Sequence, residues 1–217
     1  MSTLYTNARF WSSGQEIFHD LLVKDSIIIA TGEQTKEFTA ETTIDLNGAF
    51  VIPAFLDGHA HPIFAGREAA GPKINGINSI EEIKAQVKAF AQANPTTPWI
   101  IGGAYEAAII EGGDFDAKWL DEVVSDRPVV LHAVDHHTIW VNSKAIELSG
   151  ITSATKDPQG GTIARNSDGC AKGTLREPSA MALVLNHAPA NTIESDIAAI
   201  TYACAEYRKV GVIAAID

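Results

Sequence analysis

The segment Ala49–Leu56 (AFVIPAFL) is almost wholly apolar and stops at Asp57-Gly58. A strand without polar alternation is buried on both faces, as in a parallel sheet or barrel. Val212–Ile216 (VIAAI) repeats the pattern and ends on Asp217. Two such strands call for helices on both sides or closure into a barrel. At 217 residues the chain has material for one or two cores. It is shorter than the roughly 250 residues of a complete eight-stranded α/β barrel.

Ahead of the first apolar run, Leu4–Phe10, Asp20–Lys24, Ser26–Thr31 and Thr42–Leu46 are β-rich. Ser12-Ser13-Gly14, Gly32 and Asn47-Gly48 punctuate them, which predicts a small β-sandwich. Farther on, Ile80, Ile83, Val87 and Phe90 recur at helical spacing. Ser79 and Glu82 supply a capping box in front of that helix. Trp99–Gly102 and Val129–Ala133 read as strands, and Asp116–Val124 and Asn142–Leu148 as short helices. Thr162–Arg165 and Lys172–Leu175 are able to pair across Asp168-Gly169 as a hairpin. A long helix over Thr192–Val210, with Ile193, Ile197, Ile200 and Cys204 on one stripe, closes at Gly211. The order is sandwich, buried strand, inserted α/β segment, helix, buried strand.

Chemistry concentrates at the ends of the apolar strands. His59-Ala60-His61 follows the first of them. In an extended segment residues i and i+2 point to the same side, so two imidazoles there suit one divalent ion. Parallel α/β folds build their sites at such C-terminal strand ends. Asp217 ends the second run and is expected on the same rim. Asp135-His136-His137, followed by Trp140 and Asn142-Ser143-Lys144, comes after another strand. Here two readings stand: His136, His137 and Trp140 line a substrate pocket, or Asp135 caps a turn and Trp140 fills a core. Spacing alone favours the second. Glu177 is a candidate metal or substrate carboxylate, yet Glu177-Pro178 equally suits a helix N-terminus. His132, inside a strand, and His187, near a helix end, read as structural.

Charge and missing motifs exclude several function classes. Sixteen basic residues against 27 acidic ones give a net charge of −11. That field repels phosphate backbones and anionic lipid, so neither nucleic acid nor a membrane surface is an expected partner. Two isolated cysteines, Cys170 and Cys204, suit a reducing cytoplasm. No phosphate loop, nucleophile elbow or dinucleotide fingerprint is present in the sequence.

These residues resemble the amidohydrolase superfamily, and within it the family-3 branch that includes N-substituted formamide deformylases. The resemblance is carried by VIPAFLDGHAHP (51–62), DHHTIWVNSKAIELSGIT (135–152), DPQGGTIARNSDGCAKGTLRE (157–177) and GVIAAID (211–217). It implies an α/β fold that forms the N-terminal part of a TIM-barrel enzyme. Residues 1–50 would belong to a β-sandwich and 51–62 to the first barrel strand with its H-x-H. Residues 63–188 would be an inserted α/β segment, and 189–217 a barrel helix and second barrel strand. It also implies that His59 and His61 bind a divalent metal, commonly zinc, which activates water against a small amide-like substrate. His136, His137, Trp140 and Glu177 would lie toward that substrate. The family's later elements, a carboxylated lysine, further histidines and a late-strand aspartate, have no match up to Asp217. The expectation is therefore a front portion, inactive alone, whose strand edges associate with a second copy or with the rest of the barrel. The alternative is a non-catalytic binding or assembly module.

Overall fold

The structure is a computed structural model, described here for residues 1–11 and 18–217. The expected turn at Ser12-Ser13-Gly14 lies outside the described residues. The strands of the first fifty-seven positions are β1 (Ser2–Thr6), β2 (Arg9–Phe10), β3 (Leu21–Lys24), β4 (Ile27–Thr31), β5 (Thr42–Asp45), β6 (Phe50–Val51) and β7 (Phe55–Asp57). Helices α1 (Pro62–Ala69) and α2 (Ile80–Ala93) precede β8 (Ile100–Tyr105), α3 (Ala117–Asp121), β9 (Val129–Ala133) and β10 (Thr138–Val141). Then come α4 (Ser143–Leu148), β11 (Thr162–Arg165), β12 (Ala171–Arg176), α5 (Glu177–Leu185), α6 (Ile193–Lys209) and β13 (Val212–Ala215). This mixed α/β chain divides into two compact units, one of Met1–His59 with Arg208–Ile216 and one of Ala60–Tyr207 with Asp217.

The first unit holds a four-stranded sheet in the order β4-β3-β1-β5. β3 runs antiparallel to both β1 and β4, and β5 runs parallel to β1. Asp25 and Ser26 both have positive φ (50° and 66°), the geometry of a two-residue hairpin turn whose twist matches the strands it joins. Two smaller parallel pairs, β2 with β6 and β7 with β13, complete the unit. Here the apolar segment departs from expectation. Ala49–Leu56 is not one strand buried on both faces. It breaks around Pro53, which has no N–H for a ladder, and its halves join different sheets. Phe50, Phe55 and Leu56 are exposed.

The second unit is built on a five-stranded sheet, β11-β12-β10-β9-β8, parallel only between β8 and β9. Strand alternation feeds two cores. Val129, Leu131, Ala133 and Trp140 face one side, with Ile83 and Val87 of α2 and Leu120 of α3. Val130, Ile139 and Val141 face the other, with Ala145 of α4 and Met181 and Val184 of α5. Thus β9 and β10 send side chains into both cores, which accounts for the apolar residues on both of their faces. The expected hairpin forms, with Ile163 opposite Leu175. Ser79 Oγ accepts a hydrogen bond from Glu82 N at 3.4 Å, the N-cap half of the expected capping box. No helix among the described residues is long and apolar enough to cross a membrane.

α6 is seated by small residues rather than by its isoleucine stripe. Ile193, Ile197 and Cys204 are exposed, whereas Ala199 and Ala203 are buried. The reason is Gly66 of α1: a Cβ there would collide with the Ala199 carbonyl. So close an approach of two backbones leaves no room for a side chain at Gly66 and favours small residues on the facing side of α6. Gly66→Ala is expected to cost about 2–3 kcal/mol, measured as a lower midpoint in urea unfolding.

Candidate functional site

The H-x-H motif lies just beyond the end of β7. The strand stops at Asp57, whose Oδ1 accepts from His59 N at 3.2 Å, and His61 is the N-cap residue of α1. The two histidines therefore do not share the continuous extended segment that the same-side argument assumed. Pro62 at the first helical position fixes the turn into α1, where a missing N–H costs nothing. His61 Nδ1 stands 2.8 Å from Asp217 Oδ1, so this carboxylate reaches the motif as expected. Among the described residues no three His, Cys, Asp or Glu side chains converge as a ready-made metal centre.

Within the second unit, α1 carries a second set of polar groups into a cavity of about 300 Å³. Glu68 of α1, His132 of β9 and His136 of the β9–β10 turn line it, with Phe64, Ile101 and Leu185 as apolar walls. The missing side chain of Gly103 lets the Glu68 carboxyl lie against β8; any Cβ there would collide with Oε1. Glu68 Oε1 and His132 Nδ1 are buried without a hydrogen-bond partner among the described residues. His136 Nδ1 is the nearest cationic candidate to Glu68, at 3.7 Å, too far for a hydrogen bond. Burial pushes the Glu68 carboxyl up to about 7. Burial, and then His136, push His132 down to about 4. Ring contacts run from His61 to Phe64 (5.8 Å) and from Phe64 to His136 (5.7 Å).

His137 and Glu177, both marked from the sequence, come together in a separate, more open depression. His137 Nδ1 and Glu177 Oε2 are 3.1 Å apart, and that carboxylate raises the histidine's pKa. Glu177 is also the first residue of α5, with Pro178 behind it, so the helix-start reading holds too. Its φ of +68° is one that a side-chain-bearing residue adopts at a cost. The Glu177 N–H bond to His137 O, 2.7 Å, holds it there. Arg176 is spent on Asp114 at 2.7 Å.

Trp140 must be reassigned. Its side chain is fully buried among Tyr105, Phe115 and Trp119, and its indole N–H donates to Asp116 O at 2.9 Å. It fills the core, because β10 directs it into the sheet face covered by α2 and α3. Glu68 and the cavity role of His132 were missed. The one signal that pointed there was the Gly102-Gly103 pair in β8, which leaves room for a carboxyl against the backbone.

Comparison with known proteins places this architecture. The amidohydrolase family profile matches residues 42–217. The YtcJ protein of Bacillus subtilis is 35% identical over 173 residues, which cover 77% of this chain and 32% of that protein. The N-substituted formamide deformylase of Arthrobacter pascens is 28% identical over 167 residues, covering 74% and 31%. A crystal structure of an uncharacterized metal-dependent hydrolase from Pyrococcus furiosus superposes with a TM-score of 0.66 at 22% identity, over 99% of this chain and 44% of that one. The chain thus spans about a third of the length of these relatives and under half of the solved structure. With most of its length matched by the family profile, the chain belongs to the amidohydrolase family.

Proposed function

We propose that this chain supplies the front part of a metal-dependent hydrolase that cleaves small non-peptide carbon–nitrogen bonds, of the formamide-like amide class. The observation that carries the reading is the Asp57-Gly58-His59-Ala60-His61 segment at the end of a parallel strand pair, with Asp217 on the His61 ring. His59 and His61 would hold a divalent ion of the zinc type, since neutral imidazoles backed by a carboxylate suit it. Such an ion, when bound, lowers the pKa of a water molecule and polarises the scissile carbonyl. Asp217 orients His61 by accepting the Nδ1 proton, which leaves Nε2 as that ring's lone-pair nitrogen. His136, His137 and Glu177 would stand on the substrate side. Membership of the amidohydrolase family and the fold shared with a metal-dependent hydrolase support this reading.

Two imidazoles are one protein ligand short of the usual catalytic zinc site. The 217-residue chain is therefore proposed to bind metal without hydrolysing amides, in a TIM-barrel context that other residues would complete. Cobalt titration followed by visible absorption tests the site. The expected result is one equivalent bound by the parent chain and at least a tenfold weaker affinity after His59→Ala or His61→Ala. A chain that binds no metal, or that is indifferent to both substitutions, would sink the metal reading and favour a binding or assembly module. Turnover of N-alkylformamides by the isolated chain would overturn the view that it is incomplete.

A further inference from the structure

We propose that the cavity between α1, β8 and β9 is a subsite for a small uncharged ligand whose polar head carries a hydrogen-bond donor and acceptor side by side, as in a primary carboxamide. Glu68 Oε1 and His132 Nδ1 are both buried and both without a partner among the described residues. Leaving each so is a desolvation cost that a ligand or an ordered water returns. At about 300 Å³ the cavity exceeds the needs of a single water and falls at the small end of ligand pockets. Phe64, Ile101 and Leu185 give it apolar walls for a hydrocarbon body.

Charge selects the head group. Arg67 lines the cavity, but its guanidinium is committed to Asp196 of α6, with Nε and Nη2 at 2.9 and 2.8 Å. Among the described lining residues Arg67 is the one permanent cation, and it is already paired. The groups facing Glu68 are His132 and His136 from β9 and its following turn, with Arg67 and Asp196 already paired. Burial favours the protonated carboxyl, which presents O–H and C=O on one edge and matches a carboxamide's C=O and N–H. An ionised Glu68 only accepts, and one half of the match is lost. No metal enters this proposal, and it stands apart from the hydrolase reading.

Benzamide and benzoate, titrated into chelator-treated protein by NMR, test it, so failure here leaves the metal measurement untouched. Benzamide is expected to shift the His132 ring signals and to bind at least tenfold more tightly than benzoate. Its affinity is expected to fall about tenfold between pH 6 and pH 8 as Glu68 ionises. Glu68→Gln keeps a donor and acceptor without a titration, so it should bind benzamide with no such pH dependence. Glu68→Leu should weaken binding at least tenfold. Equal affinity for benzamide and benzoate, an unchanged Glu68→Leu variant, or a pH-independent parent chain would overturn the proposal. So would benzamide binding that leaves the His132 signals unmoved.

Discussion

Asn142→Ala is expected to remove about 4 kcal/mol of folding stability. The Asn142 side chain is fully buried and makes four hydrogen bonds, each 3.0 Å long. Its Oδ1 accepts from the N–H groups of Val129 and Ala145, so it caps α4 and pins the start of β9. Its Nδ2 donates to the carbonyls of Val124 and Arg127, which fixes the turn entering that strand. Alanine would take the partner from two donors and two acceptors, and three of these four bonds are fully buried. At about 1 kcal/mol net for each bond, and more where a group is left buried and unpaired, the sum is about 4 kcal/mol. That is a large share of the 5–15 kcal/mol typical of a domain. Asn142→Asp is a sharper probe. It keeps both acceptor roles but turns a carboxylate toward two carbonyl oxygens, so it should also destabilise by several kcal/mol. Lys144→Ala, at a partly exposed ion pair, should change stability by under 0.5 kcal/mol. Urea unfolding of the three variants checks the ranking, and a loss below 1 kcal/mol for Asn142→Ala would refute the account.

Asn142 also shows what a sequence conveys and what it withholds. The short helix it precedes was legible, because helical pattern depends on residues three or four apart. Local spacing likewise made legible Ser79 before α2 and the hairpin between β11 and β12. Asn142 itself, however, reads in the sequence as part of that helix and not as its cap. Its bonds to Val124, Arg127 and Val129 were not legible, since they depend on how a turn and a strand return to it. Apolar pattern was the least dependable guide. It correctly announced β9, which has a core on each side, but it announced burial for Ala49–Leu56, where Phe55 and Leu56 stand exposed. A strand's composition records what it is able to bury; only its neighbours decide what it does bury. The isoleucine stripe of α6 failed for the same reason, since Gly66 draws the alanine face inward.

The candidate site divides along the same line. His61 with Asp217, and His137 with Glu177, were marked from the sequence and are paired in the structure. Glu68 reads in the sequence as an ordinary surface-helix acid in REAAG. Its burial is created by Gly103, thirty-five positions on, and by the strand that carries His132.

The presence of Glu68 and His132 in one cavity leads to the second large effect, in which two opposed titrations hide one another. Folded, Glu68 releases its proton near pH 7 instead of the ordinary 4.5, and His132 accepts one only near pH 4 instead of 6.5. Between pH 4.5 and 6.5 the native state therefore holds one proton on Glu68 and none on His132. The unfolded chain holds none on the carboxylate and one on the imidazole. The proton counts match, so these two groups leave stability flat across that window. Removing either one exposes the other. In Glu68→Gln only His132 remains: the unfolded state binds more protons, and stability should rise by about 3 kcal/mol from pH 4 to 6.5. In His132→Phe only Glu68 remains: the native state binds more protons, and stability should fall by about 2 kcal/mol from pH 4.5 to 7, with some solvent access to the carboxyl reducing the full value. Other titrating groups, among them His137 beside Glu177, are common to all three proteins and cancel in the difference from the parent. Urea unfolding at half-unit steps from pH 4 to 8 reads both slopes, and difference curves that stay level would show that neither group is perturbed by burial. Opposite slopes would establish that the cavity is kept electrically neutral across the weakly acidic range by two groups that each resist ionisation. Neutrality of that kind is the condition under which a cavity of this size prefers an uncharged ligand to its ionised counterpart.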